Sequence, residues 1–283
     1  MLWPALLVLQ ATFHSPRLLE SSGVAVSREH RGVLWKHNDS GDGPYLYATD
    51  LQGTDRGFLL VSGADAFDWE DMALGVCPAR FRAAACVYIA DTGDNLGVRP
   101  FVTLYALPEP VPPEEPGDTL GTTGAPAVLH VRYPDGPHDV EAIFVSPRDT
   151  ATYLVSKGHS GSIKVYRVGS ADWAAAKVTA EPVVATVVQT LDIKPSAEAG
   201  RQITGAAMRP DGRVVALRTY GEIYLFFPGV GGRLSPGRAR PCNIAGMELG
   251  GEAIAFLNDT TFVLTSEAGR RHPGTIDTVV CHR

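Results

Sequence analysis

Ser22-Gly-Val-Ala-Val26, Glu70-Asp-Met-Ala-Leu74, Glu141-Ala-Ile-Phe-Val145, Thr204-Gly-Ala-Ala-Met208 and Glu252-Ala-Ile-Ala-Phe256 are variants of one pattern. Each is a short apolar strand that opens on an oxygen-bearing side chain. Their openings are separated by 48, 71, 63 and 48 residues along a chain of 283. Weak self-similarity at a period of this size is the mark of a radial β architecture, in which every repeat is one blade. Radial repetition brings the five opening positions together around one axis, where they read Ser, Glu, Glu, Thr, Glu.

Each opening strand (A) is followed by a turn and a second strand (B): Val33–Trp35, Val87–Ala90, Tyr153–Val155, Val214–Leu217 and Phe262–Leu264. The A–B turns carry turn chemistry, clearest in Pro210-Asp-Gly212 and Asn258-Asp259. Third strands (C), rich in β-branched and aromatic residues, follow at Tyr45–Ala48, Val102–Tyr105, Ile163–Arg167, Ile223–Phe227 and Ile276–Val280. Outer strands (D) are expected at Gly57–Val61, Ala127–Val131, Pro182–Val188 and around Cys242. The fifth is missing after the last C strand, and Thr12–Leu19 is expected to supply it and close the ring, which removes an exposed sheet edge. The fold predicted is an all-β, single-domain propeller of five four-stranded antiparallel blades. Six blades are the alternative if Glu109–Pro126 or Val168–Arg201 hides a unit, and a two-sheet sandwich is disfavoured by the repetition. The one tempting helix, Ala171–Lys177, is short.

A hydrophobic content of 45% suffices for a core, and 30 Gly with 21 Pro suit a chain of many turns. A formal charge of −6 argues against a nucleic-acid partner, which calls for a basic stripe. No interior segment reaches the roughly 20 apolar residues of a membrane span. The first eleven residues, MLWPALLVLQA, have the length and hydrophobicity of a signal-peptide core without its basic lead. They are read as an export leader preceding a propeller domain over 12–283, and the competing reading makes Leu6–Leu9 a buried strand. Cysteine placement agrees with a secreted or periplasmic location. Cys77 and Cys86 bracket a hairpin loop, which leaves Cys242 and Cys281 as a second pair. Four cysteines allow three pairings, so this is the preferred one, and free buried thiols are the alternative.

In a four-stranded blade the residues just before A and just after B lie at the same mouth of the channel. Asp39, Glu70, Asp91, Glu141, Glu252 and Glu267 therefore crowd there. Carboxylates held so close raise one another's pKa, and a bound cation relieves the repulsion. An all-oxygen donor set points to Ca²⁺, with Mg²⁺ the alternative, held by Asp39, Glu70, Glu141, Glu252 and Glu267. Lys157 and Arg218 are cations at this acidic mouth. They either neutralise neighbouring carboxylates structurally or, with His37 and Tyr220, hold a small anionic ligand or ester substrate. Asp71 and Asp91 are candidate general bases. Singly, Asp91-Thr-Gly-Asp-Asn95 and Asn38-Asp-Ser-Gly-Asp-Gly43 are good turn sequences, and it is their convergence on one face that favours a metal.

The runs Trp35-Lys-His-Asn-Asp-Ser-Gly-Asp42, Asp68-Trp-Glu-Asp-Met-Ala73, Tyr88-Ile-Ala-Asp-Thr-Gly-Asp-Asn95, Tyr133-Pro-Asp-Gly-Pro-His-Asp-Val-Glu-Ala142, Ile203-Thr-Gly-Ala206, Leu217-Arg-Thr-Tyr220 and Gly251-Glu-Ala253 with Thr265-Ser-Glu267 resemble a group of exported bacterial β-propeller proteins. Most of that group is uncharacterised. More distantly the chain is similar to calcium-binding, esterase-like phytase and lactonase propellers. The resemblance spans nearly everything from Ser21 onward. Where that group tends to carry an acid after Thr-Gly-Ala, this chain has Ala207, which removes one ligand position. Because propellers host unrelated functions, the resemblance implies a calcium-binding propeller without fixing a reaction. Three readings stand: a metal-dependent hydrolase of phosphate esters, carboxyl esters or lactones; a non-catalytic ligand- or protein-binding module whose ion rigidifies the channel; and a purely structural metal with interaction through the outer faces. No Gly-x-Ser-x-Gly elbow is present to supply a nucleophile. The expected state is a monomer.

Overall fold

The computed structural model describes residues 3–113, 120–175, 181–238, 240–269 and 272–281. Five small sheets stand in a ring, a five-bladed β-propeller. Strands A to D of blade 1 are Ser21–Val26, Leu34–Asn38, Tyr45–Thr49 and Asp55–Leu60. Those of blade 2 are Trp69–Gly75, Cys86–Asp91, Val102–Pro108 and Ala127–Arg132. Blade 3 has Val140–Val145, Thr152–Ser156, Ile163–Val168 and Thr186–Leu191. In blade 4, Ile203–Met208, Val215–Thr219 and Glu222–Pro228 are followed by a D strand in two pieces, Leu234–Pro236 and Cys242–Asn243. Blade 5 has Gly251–Phe256, Thr261–Ser266 and Thr275–Val280, completed by Leu6–Thr12. The A strands pack against one another in blade order and blade 5 returns to blade 1, so the inner wall is closed.

Five hydrophobic clusters fill the five seams between blades. Strand periodicity makes this possible, because successive side chains point to opposite faces. In blade 2, Val87 and Ile89 pack with Trp35 and Trp69 in the seam with blade 1, while Tyr88 and Ala90 pack with Ile143 and Tyr166 in the seam with blade 3. A B strand is thus apolar on both faces, which is why these strands read as continuous hydrophobic runs.

Closure comes from Leu6–Thr12, paired antiparallel with Thr275–Val280, and not from Thr12–Leu19. The later segment contains Pro16 and leaves the sheet, placing Phe13 and Leu18 in the seam between blades 5 and 1. The closing strand overlaps the segment read as a leader. Leu6 and Val8 face outward, so Leu6–Leu9 is a strand without being buried. Met1 and Leu2 lie outside the described residues.

The two segments that left room for a sixth blade have other uses. Within Glu109–Pro126, Leu120–Thr122 lies parallel along strand D of blade 1. Within Val168–Arg201, a one-and-a-half-turn helix, Ser170–Ala175, precedes Val183–Val184, which lies parallel along strand D of blade 2. Lys177, at the end of the expected helix, is outside the described residues. The same relation recurs around the ring. Trp3–Pro4 runs parallel to Cys242–Asn243 of blade 4. Leu234 exchanges two hydrogen bonds with Gln189 of blade 3, at 2.8 and 3.0 Å. The C–D turn of blade 1 accepts the His14 N–H on Gly53 O, at 2.9 Å. Blades 1, 2 and 4 are thereby strapped along their outer strand by the chain of the next blade, and blades 3 and 5 are hydrogen-bonded to it. Disulfides join Cys77 to Cys86 across the A–B turn of blade 2, and Cys242 to Cys281 between blades 4 and 5. None of the described helices is long and apolar enough to cross a membrane.

Candidate metal centre

The sequence repeat has a structural cause. All five A–B pairs slip register at the start of strand A: between Ser21 and Gly23, Trp69 and Asp71, Val140 and Ala142, Ile203 and Gly205, and Gly251 and Ile254. The residues inside these bulges include Ser22, Glu70, Glu141, Thr204 and Glu252, the five openings. A bulge adds an unpaired residue and re-aims its side chain. The two hydroxyls are used between blades: Ser22 Oγ donates to Glu70 O, and Thr204 Oγ1 donates to Glu252 O at 2.8 Å. Three glutamates remain for the channel.

Two sets of carboxylates meet at the mouth. Oxygens of Asp39, Asp68 and Glu70 lie within 4.8 Å of one another, and so do oxygens of Glu70, Asp139 and Glu141. Glu70 belongs to both sets and is only 4% exposed. Its pKa is pushed well above the usual carboxylate range by burial first, then by Glu141, Asp39 and Asp68. Burial also holds Glu141 well above that range in spite of the neighbouring Lys157 ammonium. Asp68 is pushed up to about 6 by burial, Asp39 and Asp139. Asp39 and Glu267 are raised as well, chiefly by burial. Glu252 is pushed up to about 8 by burial and Glu267, so the acidic field continues around the ring beyond the two sets. These residues can hold a hard cation, which an all-oxygen set suits.

The loop after strand B of blade 2 frames both sets. Thr92 and Gly93 donate their N–H groups to Asp68 O, and Asp94 N–H donates to Asp139 Oδ1 at 2.9 Å. Gly93 is required by contact: a Cβ there would lie 2.1 Å from Glu70 Oε1 and 2.3 Å from Asp68 Oδ2. Lys157 Nζ sits 2.5 Å from Glu141 Oε1 and 3.9 Å from Asp139 Oδ2. Burial opposes its charge, but Glu141 and the other acidic neighbours raise its pKa overall. His159 Nδ1, more exposed, lies 3.2 Å from Asp139 Oδ2. The Tyr220 hydroxyl is raised by burial and by Glu252, which puts it in the same field.

Other candidates sit elsewhere in the ring. Asp71 is wholly buried next to the mouth. Its Oδ1 accepts Met72 N–H at 2.8 Å, and its Oδ2 accepts Ile143 N–H at 2.9 Å and Ala206 N–H at 3.0 Å. One carboxylate thus ties blades 2, 3 and 4; burial raises its pKa well above normal against the effect of these three donors. Asp91 is 2.9 Å from the Arg99 guanidinium and accepts the Asp68 N–H. Arg218 is buried, donating to Ala253 O at 2.6 Å, Thr265 O at 3.1 Å and the Glu248 carboxylate. His37 is buried edge-on against Trp69, 5.4 Å between ring centres, and burial lowers its pKa to about 4, which keeps it neutral. A Cβ on Gly23 would sit 2.2 Å from His37 Nε2, so His37 wedges the inner strand of blade 1.

Sequence reasoning counted neither Asp68 nor Asp139 as a ligand. A signal was available: Asp68-Trp-Glu70 and Asp139-Val-Glu141 repeat Asp-x-Glu in consecutive blades. Glu248, the partner of Arg218, was missed altogether and lies in a loop of mostly small and apolar residues, Ile244–Gly250, without periodicity. Compared with known families and with curated proteins, the chain matches no family model and has no significant match among the curated proteins.

Proposed function

We propose that this protein is an exported β-propeller that holds a divalent cation, Ca²⁺ in preference to Mg²⁺, among the carboxylates at its axial mouth. The observation that carries this reading is Glu70: a nearly fully buried carboxylate, shared by two carboxylate sets and accepting no hydrogen bond among the described residues. A buried, unneutralised cluster is costly, and a cation removes that cost. Two disulfides support an oxidising, extracellular setting. Bound at the mouth, the ion would polarise an ester or phosphoryl oxygen of a small anionic ligand, the chemistry of a metal-dependent hydrolase.

A second reading, a binding module without catalysis, is favoured by the engagement of both candidate bases. Asp71 accepts three backbone N–H groups and Asp91 is paired with Arg99. Thermal melting in EDTA and in Ca²⁺ tests the ion: Ca²⁺ should raise Tm, Glu70→Gln should abolish the rise, and an unchanged midpoint sinks the proposal. Chromogenic phosphate esters, carboxyl esters and lactones then separate the readings. EDTA-sensitive turnover supports the hydrolase, and an ion-dependent Tm without turnover supports the binding module.

A further inference from the structure

The two carboxylate sets that share Glu70 offer two places for a cation, and they are not equivalent. In the Glu70–Asp139–Glu141 half, a cation is already present, because Lys157 Nζ is 2.5 Å from Glu141 and 3.9 Å from Asp139. The Lys157 backbone fixes that position. Its N–H donates to Asp139 O at 3.0 Å and its carbonyl accepts Ile203 N–H at 3.1 Å, joining blades 3 and 4. In the other half, neither Asp68 nor Glu70 is ion-paired among the described residues. Glu70, only 4% exposed, points into the set a carboxylate with no hydrogen bond or ion pair among the described residues. The bare Cα of Gly93 lets Glu70 and Asp68 close on that point.

Resting on the proposed axial ion, we infer that Lys157 is a tethered counter-cation that fills the Glu70–Asp139–Glu141 half, so that the chain takes a single divalent cation, between Asp39, Asp68 and Glu70. An ammonium and a divalent ion sharing one carboxylate pocket repel strongly at low local dielectric. Lys157 therefore sets the number of ions. With its charge engaged by Glu141 and Asp139, it is a poor clamp for an anionic ligand.

The test counts Ca²⁺ per chain by equilibrium dialysis and atomic emission, with folding checked by circular dichroism and gel filtration. One ion is expected for the native chain, two for Lys157→Met, and one for Lys157→Arg. Asp68→Asn alone should lose the native ion. Combined with Lys157→Met, it should leave the newly opened site occupied. A native count of two, or a folded Lys157→Met that still binds one, overturns the inference. So does an Asp68→Asn chain that keeps its ion at native affinity. A native count of zero refutes the axial ion itself, which is a distinguishable result. If Lys157→Met fails to fold, Lys157→Gln replaces it, and the Asp68→Asn measurement stands independently of both.

Discussion

Replacing Asp71 with alanine should unhinge the inner wall, and the size of the effect follows from its bonds. The side chain satisfies three buried N–H groups, those of Met72, Ile143 and Ala206, on three blades. Leaving a buried donor unpaired costs about 1–3 kcal/mol. Three donors give a loss of roughly 3–6 kcal/mol once partial relaxation is allowed. At about 2 °C per kcal/mol for a chain of this size, Tm should fall by roughly 10 °C. Asp71→Asn provides the internal comparison. Its amide oxygen can still accept from Ile143 and Ala206, but its NH₂ then faces the Met72 N–H. It should lose only about 1–3 kcal/mol. Urea unfolding reads both variants, and the slope should stay native while the midpoint moves. A loss below about 1 kcal/mol for Asp71→Ala refutes the clasp, as does an Asp71→Asn variant no better than the alanine.

Three further outcomes are expected. In EDTA, stability should decline as pH rises. Glu252 titrates near 8 in the folded chain against 4.5 ordinarily, so its ionisation opposes folding by up to about 5 kcal/mol. That protonated-state stability is complete below pH 4.5 and is lost on passing through pH 8. Saturating Ca²⁺ should flatten the decline, and a Tm that climbs with pH in EDTA contradicts the burial argument. Gly93→Ala, with a Cβ driven onto Glu70 and Asp68, should weaken Ca²⁺ binding at least tenfold by calorimetry in a chain that still folds; unchanged affinity shows that the close approach is irrelevant. Removing Cys242–Cys281, with a sequence separation of 39, should cost about 4 kcal/mol, against about 3 for Cys77–Cys86, with a separation of 9. The reverse order in paired Cys→Ala variants argues against loop closure as the main effect.

The blade count was legible because every bulge sets a polar residue at the head of an apolar strand, a contrast that periodicity alone exposes. Strands such as Cys86–Asp91 and Val140–Val145 are apolar along nearly their whole length and read as strands without help from context. Roles at the mouth were harder to read. Glu70 and Asp71 are neighbours in sequence, yet one points into the carboxylate cluster and the other accepts N–H groups from two further blades. Nothing in the residue types distinguishes a ligand from a clasp; the distinction arises from the bulge that turns Glu70 away. Arg218 likewise reads as a free cation until Glu248, thirty residues on, is folded against it. The run Leu6–Leu9 supports two meanings, because an exposed closing strand and a leader core share one composition.

The straps along the outer edges bear on how the molecule comes apart. Arrays of repeats ordinarily melt from an end, since a terminal unit has one neighbour. Here the A strands form an uninterrupted inner circle, and at the periphery the chain of the next blade lies parallel along blades 1, 2 and 4 and is hydrogen-bonded to blades 3 and 5. Peeling one blade requires lifting the segment that its successor lays over it, and that successor is pinned in turn. With contacts passing from blade to blade on both the inner and the outer side, loss of structure should be a single all-or-none event rather than a succession of blades.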